Sequence, residues 1–310
     1  MLIRGLDGFD ACLGGIVSIG NFDGVHLGHQ LMIQTLVHQA RSEKLPAVVF
    51  TFEPHPIHLL RPEHAPPELM LIEERAAALE DLGVDCVVAY PTDRALLNLS
   101  AEAFFQQILC DQLRARGLVE GPNFFFGKNR AGNVTLLQTL CDRAGMFFKV
   151  VEPGLCDGRM ISSSEVRNSV QSGALDLAAN MLGRLYQING IVEHGVERGR
   201  VLGFPTANLT EILTLLPAEG VYSGFGTVGG KRYPAAIHIG ANPTFKNSES
   251  KVEVHLIGFS GDIYDQNLQV EFLEKLRGTQ TFFDADALKL QLAIDVESAK
   301  KQADQWNATY

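Results

Sequence analysis

Positive charge is scarce in this 310-residue chain: 26 Lys and Arg stand against 36 Asp and Glu, a formal net charge of −10. A phosphate backbone is held by clustered cations, so the shortage argues against a broad nucleic-acid surface while leaving room for local anion sites. Cysteine is also sparse. Cys12, Cys86, Cys110, Cys141 and Cys156 form no close pair of the kind that binds zinc or makes a redox dithiol, and their odd number predicts reduced thiols in the cytoplasm. No apolar stretch runs uninterrupted for membrane length, and MLIRGLDGFDACLGG lacks a basic segment followed by an apolar run. The expectation is a cytoplasmic protein, neither exported nor inserted in a membrane. Repeats, low-complexity tracts and long linkers are absent too, which predicts a tight domain boundary.

With 46% hydrophobic and 20% charged residues, a chain this long can bury two cores. Strand-like runs AVVFTF (47–52), CVVAY (86–90), GLVEG (117–121) and FFKVVEP (147–153) alternate with helical patterns near 73–82, 102–116 and 133–144. That alternation predicts an α/β doubly wound parallel sheet. After short helical patterns near 164–172 and 175–182 the texture changes to strands separated by Gly, Asn and Pro, which predicts an antiparallel barrel or sandwich. An amphipathic helix over 285–304 closes the chain. The spacing places the boundary near Gly183, giving domains 1–183 and 184–310.

VSIGNFDGVHLGHQ (17–30) lies between an apolar strand, Ile16 to Ile19, and helically spaced Leu31, Met32, Leu36 and Ala40. At the carboxyl end of a strand in a parallel sheet, the N–H groups of the following helix favour an anion. His26 and His29 share a face if the helix begins here. Gly24 and Gly28 allow positive φ and close approach of a phosphate. Solvated capping histidines and a metal pair are the other readings, the last needing zinc ligands that His55 and His58 supply poorly.

Three further segments follow strands or precede helices. TFEPHP (51–56) has two prolines that stiffen its exit, either as a rigid loop or to aim Phe52 or His55 at the ligand crevice. GPNFFFGKNRAGN (121–133) combines Phe124, Phe125 and Phe126 with Lys128 and Arg130, as core or as a ring-binding surface. RMISSSEVR (159–167) offers Ser162 or Ser163 as a helix cap, with phosphate binding as the alternative.

Together these segments resemble a known family. GNFDGVHLGH resembles the HxGH signature of nucleotidylyltransferases, ISSSEVR their second phosphate-holding motif, and TFEPHP with GPNFFFGKNRAG narrows the likeness to bacterial bifunctional riboflavin kinase/FMN adenylyltransferases. GRVLGFPTANL, GVY, IGANPTF, EVHL and KLR follow in the order of the riboflavin kinase module. The resemblance implies an antiparallel β-barrel for the second half, and two steps: riboflavin + ATP to FMN + ADP, then FMN + ATP to FAD + pyrophosphate. Gly20, Phe22, Gly24, His26, Gly28 and His29 would meet ATP, the histidines stabilising transition-state charge. Ser162, Ser163 and Arg167 would hold the leaving phosphates. Asn123, Phe124, Phe126 and Arg130 would contact flavin or nucleotide, and Asp23 would orient a histidine or the turn. In the kinase half, Thr206 and Asn208 would bind Mg²⁺ and phosphate, Gly199 and Gly203 would let backbone N–H groups approach the phosphates, Glu253 would be the base, and Arg277 would contact flavin. His255, on the same sheet face as Glu253, receives no role. A P-loop pattern is missing.

Two positions depart from that pattern. Thr279 stands where an acidic residue usually follows Arg277, and Asp265 where glycine commonly follows tyrosine. Threonine brings no charge to hold the guanidinium, which predicts a more mobile flavin lid unless Asp265 reaches the same arginine. The alternative functions are an adenylyltransferase with a flavin-binding but weak or inactive kinase half, and a flavin sensor without catalysis. The partners expected are riboflavin, FMN and ATP, with no nucleic acid and no membrane.

Overall fold

Continuous apolar strands in the first half need cover on both faces, whereas alternating strands in the second need it on one. The computed structural model describes every residue except 7, 153, 157, 195–198, 200, 201, 242–249 and 310, so parts of the GRVLGFPTANL and IGANPTF motifs lie outside the described residues. Packing divides the chain into two units, Met1–Ser163 and Ser164–Tyr310.

The first unit is built on six parallel strands: β1 (Leu2–Arg4), β2 (Ile16–Ile19), β3 (Ala47–Glu53), β4 (Cys86–Pro91), β5 (Gly117–Glu120) and β6 (Phe147–Val150). Their order is β1-β4-β3-β2-β5-β6. Every residue of β2 and β5 is buried, as a two-faced central strand requires. Helix α1 (Leu27–Glu43) buries Ile33, Leu36 and Ala40, while Leu31, expected in that stripe, faces solvent. Helices α2 (Ile72–Asp81) and α3 (Ala101–Phe104) follow, the latter widening to i→i+5 bonding over Phe105–Gln112, and then α4 (Val134–Ala144). Phe50, Phe104, Leu109 and Leu137 share one core with Val17 and Ile19.

The chain winds outward from β2 to β3 and returns across it to β5, so the crevice opens at the carboxyl ends of β2 and β5. Backbone pairing between these strands covers only Ile16 with Gly117 and Val17 with Leu118. Beyond it the Glu120 carboxyl accepts the Ile19 N–H at 2.7 Å, replacing the next ladder bond with a side chain. Burial pushes this carboxyl well above its ordinary range, and the Ile19 N–H offsets only part of the shift.

The second unit starts at Ser164, within α5 (Ser163–Ser172), and continues with α6 (Leu175–Leu182). Six antiparallel strands follow: β7 (Tyr186–Glu193), β8 (Ala207–Thr210), β9 (Gly220–Val228), β10 (Lys231–Ala241), β11 (Ser250–Leu256) and β12 (Asn267–Arg277). They close into a barrel in the order β7-β8-β11-β10-β9-β12. Strand β7 alternates buried and half-exposed residues, the pattern of a wall with one inner face. Helix α7 (Ala285–Thr309) packs on β9, β10 and β12, burying Asp295, Ala299 and Ala303. The packing division precedes the change of texture at Gly183 because α6 buries Leu175, Ala178, Met181 and Leu182 and lies on β7 and β12.

Two outcomes follow from this packing. A chain of residues 164–310 should unfold cooperatively in urea. One of 184–310 should be weaker by several kcal/mol, since each large side chain uncovered costs about 1.5–3 kcal/mol; equal midpoints would show that α6 contributes nothing. Separately, a carboxyl whose pKa is raised by folding stabilises the fold only below its unfolded value, and that contribution is lost as pH rises through the folded value. Glu120→Gln should therefore stabilise the first unit at about pH 7 and change little at about pH 4. A pH-independent difference between the two denaturation curves would contradict the neutral buried acid.

Candidate active sites

Between β2 and α1 the backbone takes positive φ at Phe22 (50°), Gly24 (82°) and Val25 (39°), a tight turn that drops Phe22 and Val25 into the core. His26 is the N-cap of α1, its Nδ1 accepting the His29 N–H at 3.2 Å. Because Nδ1 accepts, the proton of a neutral His26 ring is on Nε2. The His26 and His29 rings stack with centroids 3.6 Å apart and 15° between planes, and Phe22 meets His29 edge-on at 5.2 Å. Desolvation, then the charges of His26 and Arg75, hold the His29 pKa well below its ordinary value. Its Nδ1 is buried and unpartnered among the described residues. His29 is therefore held as a neutral imidazole, and the two rings share a face, as the spacing predicted. A Cβ on Gly28 would lie 3.2 Å from the His26 ring, so a side chain there would displace the cap.

Other residues hold this turn in place. Asp23 ties it to the loop ahead of α2: its buried carboxylate accepts the N–H groups of Leu69 and Met70 at 3.0–3.1 Å and faces Arg75 at 3.5 Å. Gly20 donates its N–H to Phe50 O at 3.0 Å. The Ser163 hydroxyl donates to Asp23 O at 2.8 Å, linking the ISSS segment to the HxGH turn, with Ser162 beside it and half-buried. Arg167 lies one turn into α5, in the second packing unit. Asn21 and His55 emerge as additional members: the Asn21 amide lies 2.7 Å from His55 Nε2, whose Nδ1 accepts the Ile57 N–H at 3.0 Å. The TFEPHP segment thus meets the turn through a side chain that spacing alone left ambiguous.

In the aromatic loop, Phe126 is only 6% exposed and packs on Phe104, while Phe124 stacks against it at 5.6 Å. Phe126 therefore belongs to the core and offers no face to a ligand, contrary to its placement among flavin contacts. The exposed ring is Phe125, with the Arg130 guanidinium 4.7 Å from its centroid. Asn123 is exposed nearby, its amide 3.7 Å from Met160 Sδ.

On the barrel, strand register assembles a second constellation. Asn208 on β8 lies opposite Glu193 on β7 and opposite Glu253 on β11, and Glu253 in turn opposite His238 on β10. Directly paired residues project to the same face, so these four form a row on the outside of the barrel. His238 Nδ1 is 3.9 Å from Glu253 Oε2. Register continues from His238 to Val221 and from Val221 to Arg277. His238 and Glu193 were not singled out by any motif; only the pairing reveals them. Thr206 precedes β8, and a Cβ on Gly199 would lie 2.4 Å from Phe204 O, so only glycine fits there. Gly203 has φ +89° in the same loop. His255 helps to position that loop, its Nδ1 lying 2.7 Å from Pro205 O. Thr206 also lines a cavity of about 480 Å³ with Val192, Pro205, Leu256, Phe259 and Tyr264.

Arg277 is not loosely held, contrary to the expectation from Thr279. Its Nε and Nη2 donate to the Asp295 carboxylate at 3.0 and 2.7 Å, and Nη1 donates to Gly278 O at 3.0 Å. Asp265 cannot be the compensating acid, because it precedes β12 while Arg277 ends it, roughly 30 Å away at strand rise. Asp265 instead has φ +58°, the left-handed region that aspartate tolerates and glycine prefers, and its N–H donates to Val192 O at 2.9 Å.

Among the described residues no helix is long and apolar enough to cross a membrane. Residues 11–165 match the FAD synthetase family and residues 182–303 the riboflavin kinase family. A bifunctional riboflavin kinase/FMN adenylyltransferase of Haemophilus influenzae is 37% identical over 96% of this chain and 98% of its own. Those of Escherichia coli K12 and Pseudomonas fluorescens are 37% and 38% identical, each over 97% of both chains. A crystal structure described as a macrolide-efflux protein from Streptococcus pneumoniae superposes with a TM-score of 0.89 at 30% identity, over 97% of this chain and 98% of that one. With both domains matched in order, and relatives similar along nearly their full length, the chain belongs to the bifunctional riboflavin kinase/FMN adenylyltransferase family.

Proposed function

We propose that the two constellations run consecutive transfers: riboflavin + ATP to FMN + ADP on the barrel, then FMN + ATP to FAD + pyrophosphate at the HxGH turn, with residues 184–310 and 1–183 as the respective domains. The observation that carries this reading is that each packing unit holds one of the two constellations, the stacked imidazoles in one and the paired Asn208 and Glu253 in the other.

In adenylylation an FMN phosphate oxygen attacks the α-phosphorus of ATP while the bond to pyrophosphate breaks. His26 and His29, stacked and fixed by the cap, act as N–H donors to the charge that builds on the phosphates, with no proton transfer required. Free N–H groups at the start of α1 add to the same field. Asn123, Phe125 and Arg130 offer an exposed aromatic and cationic surface to the flavin.

In phosphorylation Glu253 accepts the proton of riboflavin's terminal ribityl hydroxyl as that oxygen attacks the γ-phosphorus. Thr206 and Asn208 supply neutral oxygen donors, the hard set that suits Mg²⁺ when nucleotide phosphates complete the shell. Bound there, Mg²⁺ would neutralise phosphate charge. The cavity beside Thr206 has the size and apolar lining to take the nucleoside of ATP. Arg277, held in place, removes the structural ground for reading the barrel as a weak kinase.

Incubation with riboflavin, Mg²⁺ and ATP should accumulate FAD, resolved from riboflavin and FMN by chromatography; FMN as the final product would restrict the chain to the kinase step. His29→Ala should stop the sequence at FMN, since losing one preorganised donor costs about 2.7–4 kcal/mol of transition-state stabilisation. Unchanged FAD formation at initial rates would remove the histidine pair from the mechanism. Glu253→Gln should slow riboflavin phosphorylation and leave supplied FMN converting to FAD. Loss of both steps together would show that the two sites are not separate.

A further inference from the structure

Arg277 has five guanidinium N–H donors, and three are engaged within the barrel unit: Nε–H and one Nη2–H on Asp295, and one Nη1–H on Gly278 O. Among the described residues one N–H on each terminal nitrogen has no further partner. Asp295 is 4% exposed and belongs to α7, eighteen residues beyond the arginine it holds. Its Oδ1 also accepts Gln291 Nε2 at 2.9 Å, from one turn earlier in the same helix. The Arg277 side chain keeps 19% exposure, so the fork is fixed along one edge and open along the other. Phe282 places its ring centroid 5.8 Å from the guanidinium carbon.

We propose that Asp295 is a positioning residue for riboflavin binding: from the closing helix it fixes the plane of Arg277 so that the two remaining N–H donors meet a flavin acceptor. The proposal rests on the reading of Arg277 as a flavin contact. The physical gain is preorganisation. A free arginine loses side-chain entropy when a ligand immobilises it, whereas one already clamped by a charge-assisted fork has lost that entropy during folding. The effect belongs to ground-state binding of riboflavin, so it falls on KM and leaves the chemical step at Glu253 alone. Position 279 needs no acid in this arrangement, because the carboxylate reaches the guanidinium from α7.

Kinase kinetics on the full chain test this with three variants. Arg277→Ala should raise the riboflavin KM, and Asp295→Asn should raise it by about tenfold with kcat at saturating riboflavin and the KM for ATP unchanged. Gln291→Leu, which removes the second hold on Asp295 without leaving a buried charge unpaired, should raise it by about two- to threefold. Adenylylation of supplied FMN should be the same in Asp295→Asn and wild type. A raised KM in Arg277→Ala beside an unchanged KM in Asp295→Asn, even with a lowered melting temperature, would make Asp295 a purely structural partner and overturn the proposal. An unchanged KM in Arg277→Ala would overturn the flavin reading of the arginine itself. If Asp295→Asn does not fold, an unchanged KM in Gln291→Leu overturns the positioning role.

Discussion

One hydrogen bond, from the His29 N–H to His26 Nδ1, sets the chemistry of the HxGH turn. A helix start has orphan N–H groups, and a side chain that accepts one of them is fixed in rotamer and orientation. Here the cap is an imidazole, so capping also fixes which nitrogen can be a donor. Stacking of His29 on that ring follows from the three-residue spacing, and Gly28 between them leaves the space the cap occupies. Two cations at a centroid distance of 3.6 Å would repel strongly in a partly buried site, and the lowered pKa of His29 is the expected response. A neutral His29 can donate to negative charge as it accumulates without exchanging its proton.

The barrel solves a similar positioning problem through register. Cross-strand pairs lie about 4.5–5.5 Å apart, so Asn208, Glu253 and His238 are spaced by the ladder itself. Slipping β11 by one residue would turn Glu253 inward and expose Val252 and Val254, which are 1% exposed as they stand. The same hydrophobic burial that holds the barrel closed therefore keeps the base on the outer face. His255, two residues along on that face, uses its ring on Pro205 O and so couples β11 to the loop that carries Thr206.

Much of this was legible because it is local. The mostly apolar runs of β2 to β5 and the alternation of β7 reflect whether one or both faces are covered, and three-residue spacing alone puts His26 beside His29. What was not legible depends on contacts between distant positions. The three residues of β1 have no periodicity to read, and they become a strand only because β4 offers an edge. Spacing left Phe124 to Phe126 ambiguous, and it was packing against Phe104 that made Phe126 core and Phe125 surface. Asp23 had two possible roles in the sequence, and only the fold brings the Leu69 and Met70 N–H groups to its carboxylate and so anchors the turn.

Arg277 shows why a missing residue in a motif is weak evidence about a site. A motif records neighbours along the chain, but a guanidinium answers to the carboxylates that surround it in space. At Arg277 that carboxylate belongs to Asp295, on a helix the sequence presents only as an amphipathic closing element. Its burial would be costly without a partner, since an unpaired charge in that position is destabilising. Asp295 and Arg277 therefore stabilise each other in the fold whatever the arginine later binds, and that pairing lets the residue at position 279 be threonine without releasing the arginine.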